Sequence, residues 1–268
     1  MTESTSGHLS GKVAIVTGGG RGLGRAMALA LAAAGANVVF TAAREISEVE
    51  RVASEGPDGR ILPFLGDVTD PTGCEDAVQA AIDAFGGLDI LVNNAGRGMK
   101  YVSEDFLTAP TRFWETDPDV WRMIIDTNVN GPFLMARAAV PVMLKRGWGR
   151  IINVSMNRET MRRAGFSPYG PSKAALESET IIWSQELAGT GVTVNAIPPG
   201  GATLTGMIPD NVGDAVKAKL LVPEVIVPPL MWLASDAAND VSGMRFDASR
   251  WSSGLGGDHP ASVCGEIL

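Results

Sequence analysis

Short apolar runs alternate with longer segments of helical periodicity along most of the chain. The apolar runs have the length of β-strands and lie at 12–17, 37–41, 61–65, 88–92, 150–154, 192–197 and 244–248. Between them the pattern predicts helices near 25–34, 45–54, 72–85, 117–145, 172–187 and 223–234. Strands that alternate with helices at this spacing form βαβ units with right-handed crossovers. We therefore predict an α/β fold, with a doubly wound parallel sheet in a single domain.

The polar ends of the chain set the expected limits of this domain. A chain of 268 residues with 45% hydrophobic residues suits one large domain. We expect residues 1–10 to be a flexible N-terminal tail and residues 11–250 to be the folded domain. The Gly/Ser-rich segment 251–268 is predicted to be a C-terminal tail, which either reaches a neighbouring subunit or is disordered.

Charge and composition exclude several classes of partner. The net charge is −8 and is spread along the chain, which disfavours nucleic acid or an anionic membrane as a partner. No apolar run approaches the roughly 18 residues that span a bilayer, and the N-terminus lacks the apolar segment of a signal peptide, so we expect a cytoplasmic protein. Two cysteines (Cys74, Cys264) and two histidines (His8, His259) are too few for a disulfide framework or a metal site.

A glycine-rich turn carries the first chemical signal. The sequence TGGGRGLG at 17–24 lies between a predicted strand and a predicted helix. Glycines allow the backbone to approach a pyrophosphate closely, and the start of the helix presents free N–H groups to it. Tight turns between strand and helix need glycine anyway, but this context favours a nucleotide-binding loop. We expect cofactor contacts from Gly18, Gly20, Arg21, Gly22, Leu23 and Gly24.

A tyrosine and a lysine four residues apart carry the second signal. On a helix, Tyr169 and Lys173 lie on one face, one turn apart. Tyrosine titrates near pH 10, and lowering its pKa by about three units takes roughly 4 kcal/mol of interaction with a nearby cation. Lys173 could supply much of that interaction. The alternative is a solvated pair on a helix surface.

Together these segments resemble the short-chain dehydrogenase/reductase family. The resemblance covers about residues 10–248 and rests on the glycine-rich turn, Asp67-Val68, Asn93-Asn94-Ala95-Gly96, Asn128, the Tyr169/Lys173 pair and Pro199-Gly200. It implies a single-domain Rossmann fold that transfers hydride between a nicotinamide cofactor and a ketone or secondary alcohol. It also implies assembly into a tetramer or dimer.

The resemblance further implies roles for individual residues. Tyr169 would be the acid/base, Lys173 would lower its pKa and bind the nicotinamide ribose, and Asn128 would hold a water for proton resupply. The other implied cofactor contacts are Asp67, Val68, Asn94, Ala95, Gly96, Pro199, Gly200, Ala202 and Thr203. Simpler alternatives remain for Asp67, as a helix cap, and for Asn128, as a helix-interior Asn bonded to a carbonyl. Thr205 is an alternative to Thr203.

Charge at the end of the second strand indicates the cofactor. NAD enzymes of this fold usually carry an acidic residue there for the ribose 2′-OH. That position, about 18 residues after Gly24, is Ala42, and both Arg21 and Arg44 could attract a 2′-phosphate. Arg44 can equally be a solvated residue at a helix start. We therefore predict NADP, with NAD as the alternative.

The centre of the predicted site departs from the family pattern. The family usually places a substrate-orienting serine 13 residues before the tyrosine, and that position is Met156. Ser155 precedes it, but neighbouring side chains on a strand point to opposite faces. Either the loop shifts by one residue so that Ser155 serves, or a thioether lines the site. Met156 and Ser155 are therefore the two candidates for the substrate-facing position.

Two features bear on substrate and assembly. The aromatic-rich loop 96–116 either forms a lid over an apolar substrate or covers the protein's own core. The helices at 117–145 and 172–187 carry apolar residues on more than one face, which predicts burial against another subunit. The leading hypothesis is an NADP(H)-dependent oxidoreductase with a small-molecule substrate. Its competitor is an NADP(H)-binding sensor with weak or no turnover.

Overall fold

The computed structural model describes residues 8–251 and 260–268. Within them, one sheet has the strand order β3-β2-β1-β4-β5-β6-β7-β8. The strands are β1 (Val13–Val16), β2 (Asn37–Ala42), β3 (Ile61–Leu65), β4 (Ile90–Asn93), β5 (Gly149–Val154), β6 (Val192–Ile197), β7 (Met244–Phe246) and β8 (Gly265–Ile267). Neighbouring strands pair in parallel, except that β7 and β8 are antiparallel. The predicted parallel, doubly wound α/β sheet in a single domain is confirmed.

Helices connect the strands and cover both faces of the sheet. They are α1 (Gly22–Ala33), α2 (Ile46–Glu55), α3 (Pro71–Phe85), α4 (Pro118–Ile125), α5 (Gly131–Arg146), α6 (Arg158–Met161), α7 (Tyr169–Glu186), α8 (Asp214–Lys217), α9 (Val227–Leu233) and α10 (Pro260–Cys264). The local sequence explains both ends of α3. The Asp70 carboxylate accepts from the N–H of Thr72 and so caps α3, which ends at Gly86 in a left-handed conformation.

The core lies on both faces of the sheet because the strands alternate their side chains between them. Ala14 and Val16 of β1 pack in one buried cluster with α1 and α9. Val13 and Ile15 pack in a second cluster with α3 and α5. Strands buried on both faces read as continuous apolar runs, which is why the pattern identified them as parallel strands.

The sheet order reverses next to β1. β1 pairs with β2 on one side and with β4 on the other, so the chain after β1 and the chain after β4 leave the same edge in opposite directions. Such a switch point opens a crevice at the carboxyl ends of the strands, where ligands bind in open α/β sheets. The glycine-rich turn follows β1 and the Asn94-Ala95-Gly96 segment follows β4, so both lie at this crevice.

The structure differs from the sequence-based expectation in two places. The long predicted helix at 117–145 is formed by α4 and α5 joined by a π-helical turn at Asp126–Asn130, and π-turns are frequent at functional sites. Residues 260–268, expected to belong to a tail, form α10 and β8, and β8 pairs with β7. The rest of the two predicted tails, 1–7 and 252–259, lies outside the described residues, whereas Leu9 is buried in the core.

Candidate active site

A cleft of about 430 Å³ opens at the switch point. The glycine-rich turn, the ends of β2, β3 and β4, and the segment 205–207 form its walls. Among the expected cofactor residues, those lining it are Gly18, Gly20, Arg21, Gly22, Leu23, Gly24, Arg44, Asp67, Val68, Asn94, Ala95 and Gly96. Tyr169, Lys173, Pro199, Gly200, Ala202 and Thr203 do not line it. The structure thus brings together the residues expected to bind the nucleotide and leaves a second group outside the cleft.

Missing side chains allow the glycine-rich turn to pack closely against itself and against the segment after β4. Gly18 has a φ of +65°, and a Cβ there would lie 2.7 Å from the Ala95 Cα. A Cβ on Gly24 would lie 2.5 Å from the carbonyl oxygen of Gly18. The first turn of α1 has no side-chain cap and no acidic residue. Its free N–H groups and the positive end of the helix dipole therefore fit an anionic pyrophosphate.

Side chains from β4 hold the turn in place. The Asn94 Nδ2 donates to the carbonyl oxygens of Thr17 (2.8 Å) and Gly18 (2.9 Å). The Thr17 Oγ1 accepts from the backbone N–H groups of Asn94 and Ala95, both at 3.0 Å. The Asn94 side chain therefore ties the glycine-rich turn to the end of β4, and Thr17 is its reciprocal partner.

The cleft wall near the end of β2 carries both signs of charge. Ala42 is buried and its methyl side chain carries no charge, whereas Arg44 is exposed at the cleft. Glu45 and Glu48 line the same wall, and the Glu48 carboxylate lies 3.9 Å from the Arg21 guanidinium. The prediction of NADP rested on the missing acid at position 42 and on Arg21 and Arg44. Glu45, just before α2, and Glu48, within α2, add negative charge to the same wall.

Asp67 and Val68 line the cleft and also contact residues outside it. The Asp67 Oδ1 accepts from the N–H and the hydroxyl of Thr69, both at 2.9 Å, so one carboxylate oxygen stabilises the local turn. Val68 is 6% exposed and closely approaches Gly131, at the start of α5. Both residues nevertheless line the cleft.

Asn128 connects the cleft wall to α7. It is fully buried in the π-turn, and its Oδ1 accepts from the Arg97 N–H at 2.8 Å. Its Nδ2 donates to the Arg97 carbonyl oxygen (3.0 Å) and to the Ser172 hydroxyl (2.9 Å). The π-turn places this side chain between β4 and α7, where it fixes the backbone beside Gly96.

Tyr169 begins α7, and Lys173 follows one turn later. The Lys173 ammonium donates to the carbonyl oxygen of Val154 at 2.7 Å. Burial lowers the pKa of Lys173 to about 8, against an opposing effect of the Glu177 carboxylate. Burial raises the pKa of Tyr169 to about 12. The direction for Tyr169 is opposite to the expected lowering, because loss of water around the phenolate dominates in the free protein.

The residues after β5 lie in a buried polar network. The Ser155 hydroxyl donates to the Glu177 Oε1 at 2.7 Å, and Ser155 is 3% exposed. Arg245 of β7 donates from Nε to the same carboxylate oxygen (3.2 Å) and from Nη2 to the Met156 carbonyl oxygen (2.8 Å). The Met156 side chain is buried, at 6% exposure. Sequence reasoning found Ser155 and Met156 but missed Glu177 and Arg245.

In the segment after β6, the residues before Leu204 lie outside the cleft and residues 205–207 after it line the cleft. The Thr203 hydroxyl donates to the Gly201 carbonyl oxygen at 3.2 Å, and Thr203 pairs with Leu221 away from the cleft. Thr205 and Met207 instead line the cleft, with Thr205 against Gly22. Of the two threonines that the sequence offered, Thr205 is therefore the one at the cleft, and only the tertiary structure distinguishes them.

The aromatic-rich loop at 96–116 is partly buried and partly exposed. Phe106 is 8% exposed and packs edge-to-face on Phe166, so this part covers the protein's own core. Phe113 and Trp114 are 65% and 64% exposed. The Lys100 ammonium lies 3.0 Å from the Asp210 carboxylate, which joins this loop to the segment after β6.

No helix in the described part of the chain is long and apolar enough to cross a membrane. The same residues contain no group of three or more His, Cys, Asp or Glu side chains arranged to hold a metal ion.

Comparisons with known proteins agree with this geometry. The profile of the short chain dehydrogenase family matches residues 12–214. The chain is 35% identical to a 3-alpha-(or 20-beta)-hydroxysteroid dehydrogenase of Mycobacterium tuberculosis over 90% of its own length and 89% of the relative's. It is 32% identical to a 3-oxoacyl-[acyl-carrier-protein] reductase of Thermotoga maritima, over 88% and 95% of the two chains. A crystal structure of 3-ketoacyl-(acyl-carrier-protein) reductase from Brucella melitensis, complexed with NADH, superposes with a TM-score of 0.78 at 31% identity and covers 89% of this chain and 97% of that one.

Proposed function

Because the chain belongs to the short-chain dehydrogenase family and is an oxidoreductase of CH–OH groups, we propose that it interconverts a ketone and a secondary alcohol with NADP(H), using Tyr169 as the acid/base. The observation that carries this proposal is the Asn128 bridge. Asn128 bonds the cleft wall at Arg97 and also Ser172, the neighbour of Lys173. One buried side chain thus ties the nucleotide cleft to the helix that carries the Tyr169/Lys173 pair.

The protonation state of Tyr169 supports ketone reduction at neutral pH. With a pKa of about 12, the phenol keeps its proton and can donate it to a carbonyl oxygen. A nicotinamide dinucleotide, when bound, supplies the hydride. The glycine-rich turn and the start of α1 would hold its pyrophosphate, and Asp67 and Val68 would contact the adenine. Lys173, buried beside the end of β5, would hold the ribose and stabilise the phenolate that remains after proton donation.

The choice of NADP rests on the wall near Ala42. Arg21 and Arg44 favour a 2′-phosphate, while Glu45 and Glu48 oppose it, so we expect a preference for NADPH over NADH of about tenfold, or about 1.4 kcal/mol. Ala42→Asp should narrow or invert this ratio, because a carboxylate there repels the phosphate. Fluorescence titration of both cofactors measures it, and equal affinities in the parent protein would contradict the assignment.

The residue opposite the substrate oxygen is proposed to be Met156. Ser155 is a poor candidate because its hydroxyl is bonded to Glu177. A donor aimed at a developing oxyanion is commonly worth about 10²–10³ in rate. Met156→Ser should therefore raise turnover of simple ketones, whereas Ser155→Ala should change it little, because Arg245 still holds the Met156 carbonyl oxygen. The reverse result, with Ser155→Ala inactive, would assign the role to Ser155.

The substrate is proposed to be a small to medium, partly apolar ketone or alcohol. The relatives act on hydroxysteroids and 3-oxoacyl groups, according to their names, and the 96–116 loop, which lines the cleft at Arg97 and Gly98, carries exposed aromatic residues. NADPH oxidation is measured against a panel of ketones from both classes, with cofactor binding as the control. Binding without any turnover would favour the sensor function instead, which the missing serine also supports.

A cytoplasmic homo-oligomer is the proposed form of the enzyme. Phe133 on α5 and Ile182 on α7 are 47% and 49% exposed, and large apolar residues on two neighbouring helices suit a subunit interface. Light scattering coupled to gel filtration measures the mass of the assembly. An Ile182→Glu variant should shift that mass towards the monomer.

A further inference from the structure

Three consecutive residues at the end of β5, from Val154 to Met156, are each held by a different buried charged side chain. The Val154 carbonyl oxygen accepts from the Lys173 ammonium at 2.7 Å. The Ser155 hydroxyl donates to the Glu177 carboxylate at 2.7 Å, and the Met156 carbonyl oxygen accepts from the Arg245 guanidinium at 2.8 Å. The strand pairing still extends to Ser155, whose N–H donates to the Ile197 carbonyl oxygen at 3.1 Å.

Glu177 and Arg245 form an ion pair in an unusual place. Glu177 is 8% exposed and Arg245 is 3% exposed, and their Oε1 and Nε atoms are 3.2 Å apart. Desolvation makes such a pair a weak source of stability, and well-packed apolar residues often replace one without loss. A second carboxylate, Glu266 of β8, lies 3.6 Å from the Arg245 guanidinium. The pair therefore calls for an explanation other than stability.

We propose that Glu177 and Arg245 are positioning residues that fix which side chain the chain after β5 presents to the reacting carbonyl. This inference rests on the proposed function. Glu177 holds the Ser155 hydroxyl on its own side of the strand. With that hydroxyl committed to Glu177, Met156 is the next residue along the chain whose side chain can meet the reacting carbonyl. Arg245 fixes the same choice through the Met156 carbonyl oxygen.

Arginine is required because two groups must be held at once. The guanidinium donates from Nε to Glu177 and from Nη2 to Met156, in a fixed fork. A lysine at this position could keep a positive charge near Glu177, but its three donors lie on one nitrogen and do not reproduce the fixed fork that holds both groups. Arg245→Lys therefore separates the charge of residue 245 from its geometry.

A matched control lies at the other end of β5. Arg150 is 1% exposed and donates to the backbone carbonyl oxygens of Gly149 (2.9 Å) and Ser235 (3.3 Å). Five residues of strand, about 16 Å, separate it from Ser155. Arg150→Lys makes the same chemical change in a buried arginine that has no contact with the site.

The first experiment compares turnover in the two variants. We expect Arg245→Lys to lower kcat at least about tenfold with the NADPH affinity unchanged, since a misplacement of 1 Å can cost about 10²-fold. Arg150→Lys, measured below its own unfolding temperature, should keep kcat within about twofold of the parent. A kcat in Arg245→Lys that equals the parent's, or equal losses of kcat in both variants, would overturn the proposal.

The second experiment does not depend on turnover. Methionine methyl groups labelled with ¹³C report the environment of Met156 by NMR, and Met156→Leu identifies its signal. The Met156 signal should shift or split in Arg245→Lys and stay unchanged in Arg150→Lys. An unchanged signal in Arg245→Lys would overturn the positioning role even if no ketone is turned over. A parent protein that turns over no ketone while the NMR result holds would instead refute the proposed function alone.

Discussion

The nucleotide half of the site is built largely from backbone, whereas the half around Tyr169 is built from buried charged side chains. In the first half, Gly18 and Gly24 leave room where any Cβ would collide, and the cleft is open. In the second, Lys173 and Glu177 are at most 8% exposed and bond to Val154 and Ser155 at the end of β5. The backbone half offers a surface to a large anion, whereas the side-chain half restrains the positions of Val154 and Ser155.

This difference predicts different consequences of mutation. A change in the backbone half should alter cofactor affinity and leave the chemical step intact. A change in the side-chain half should alter turnover or stability and, except at Lys173, which is proposed to hold the ribose, leave cofactor affinity intact. Four substitutions test this division, in order of decreasing expected effect.

Tyr169→Phe should lower kcat at least about 10²-fold, because general acid catalysis typically supplies 10²–10⁴. The dissociation constant of NADPH, measured by fluorescence, should stay close to that of the parent. Tyr101→Phe is the matched control, since Tyr101 and Tyr169 are the two tyrosines of the chain, and it should keep its activity. If Tyr169→Phe retains most of the parent's kcat, proton transfer occurs elsewhere.

Lys173→Met should remove a pH-dependent part of the stability. The pKa of Lys173 is about 8 in the folded protein, below its ordinary value of 10.5. Between these values the unfolded chain binds more protons, so the contribution of this group to stability rises with pH. The free energy of unfolding of the parent, relative to Lys173→Met, should therefore increase by about 3 kcal/mol from pH 7.5 to 10.5.

Urea denaturation of both proteins across this pH range measures the difference. Tyr169 is present in both proteins, so its own titration largely cancels in the comparison. Parallel curves for the two proteins would mean that Lys173 is not desolvated.

Gly24→Ala should weaken NADPH binding about tenfold, or about 1.4 kcal/mol, because the new Cβ would lie 2.5 Å from the Gly18 carbonyl oxygen. With saturating cofactor, kcat should remain near the parent value. Gly213→Ala is the control, since a Cβ there meets no atom within 4 Å. A large loss of kcat in Gly24→Ala, with unchanged NADPH affinity, would contradict the division between the two halves.

Glu48→Gln should increase the preference for NADPH over NADH by about two- to threefold, because it removes a negative charge beside Arg21. The increase should shrink at high salt. Glu50→Gln removes the same charge from α2, but Glu50 does not line the cleft, so the preference should stay unchanged. Equal effects of both substitutions would indicate a general change of net charge instead of a local one.

The two halves were also unequally predictable. The glycine-rich turn was identified from its letters, because glycine is the residue that permits a positive φ and close approach of a ligand. The polar contacts of Ser155 and Asn128 were not predicted, because their partners are distant in the sequence. The partner of Ser155 lies 22 residues away on α7. The partners of Asn128 lie 44 residues away on α7 and 31 residues away at Arg97. The predicted direction of the Tyr169 pKa shift was wrong for the same reason, since desolvation depends on every group that surrounds the ring.

The sequence by itself determined the strands, most of the helices, the parallel sheet and the class of ligand. These depend on local periodicity, on Asp-Pro and glycine signals at helix ends, and on a turn whose function is a property of its own backbone. Only the tertiary structure decided that Ser155 bonds to Glu177, that Arg245 holds Met156, that Glu48 enters the cleft and that residues 265–267 add a strand to the sheet. Each of these contacts joins side chains or strands that are far apart in the sequence, and the local sequence pattern around either partner does not indicate the contact.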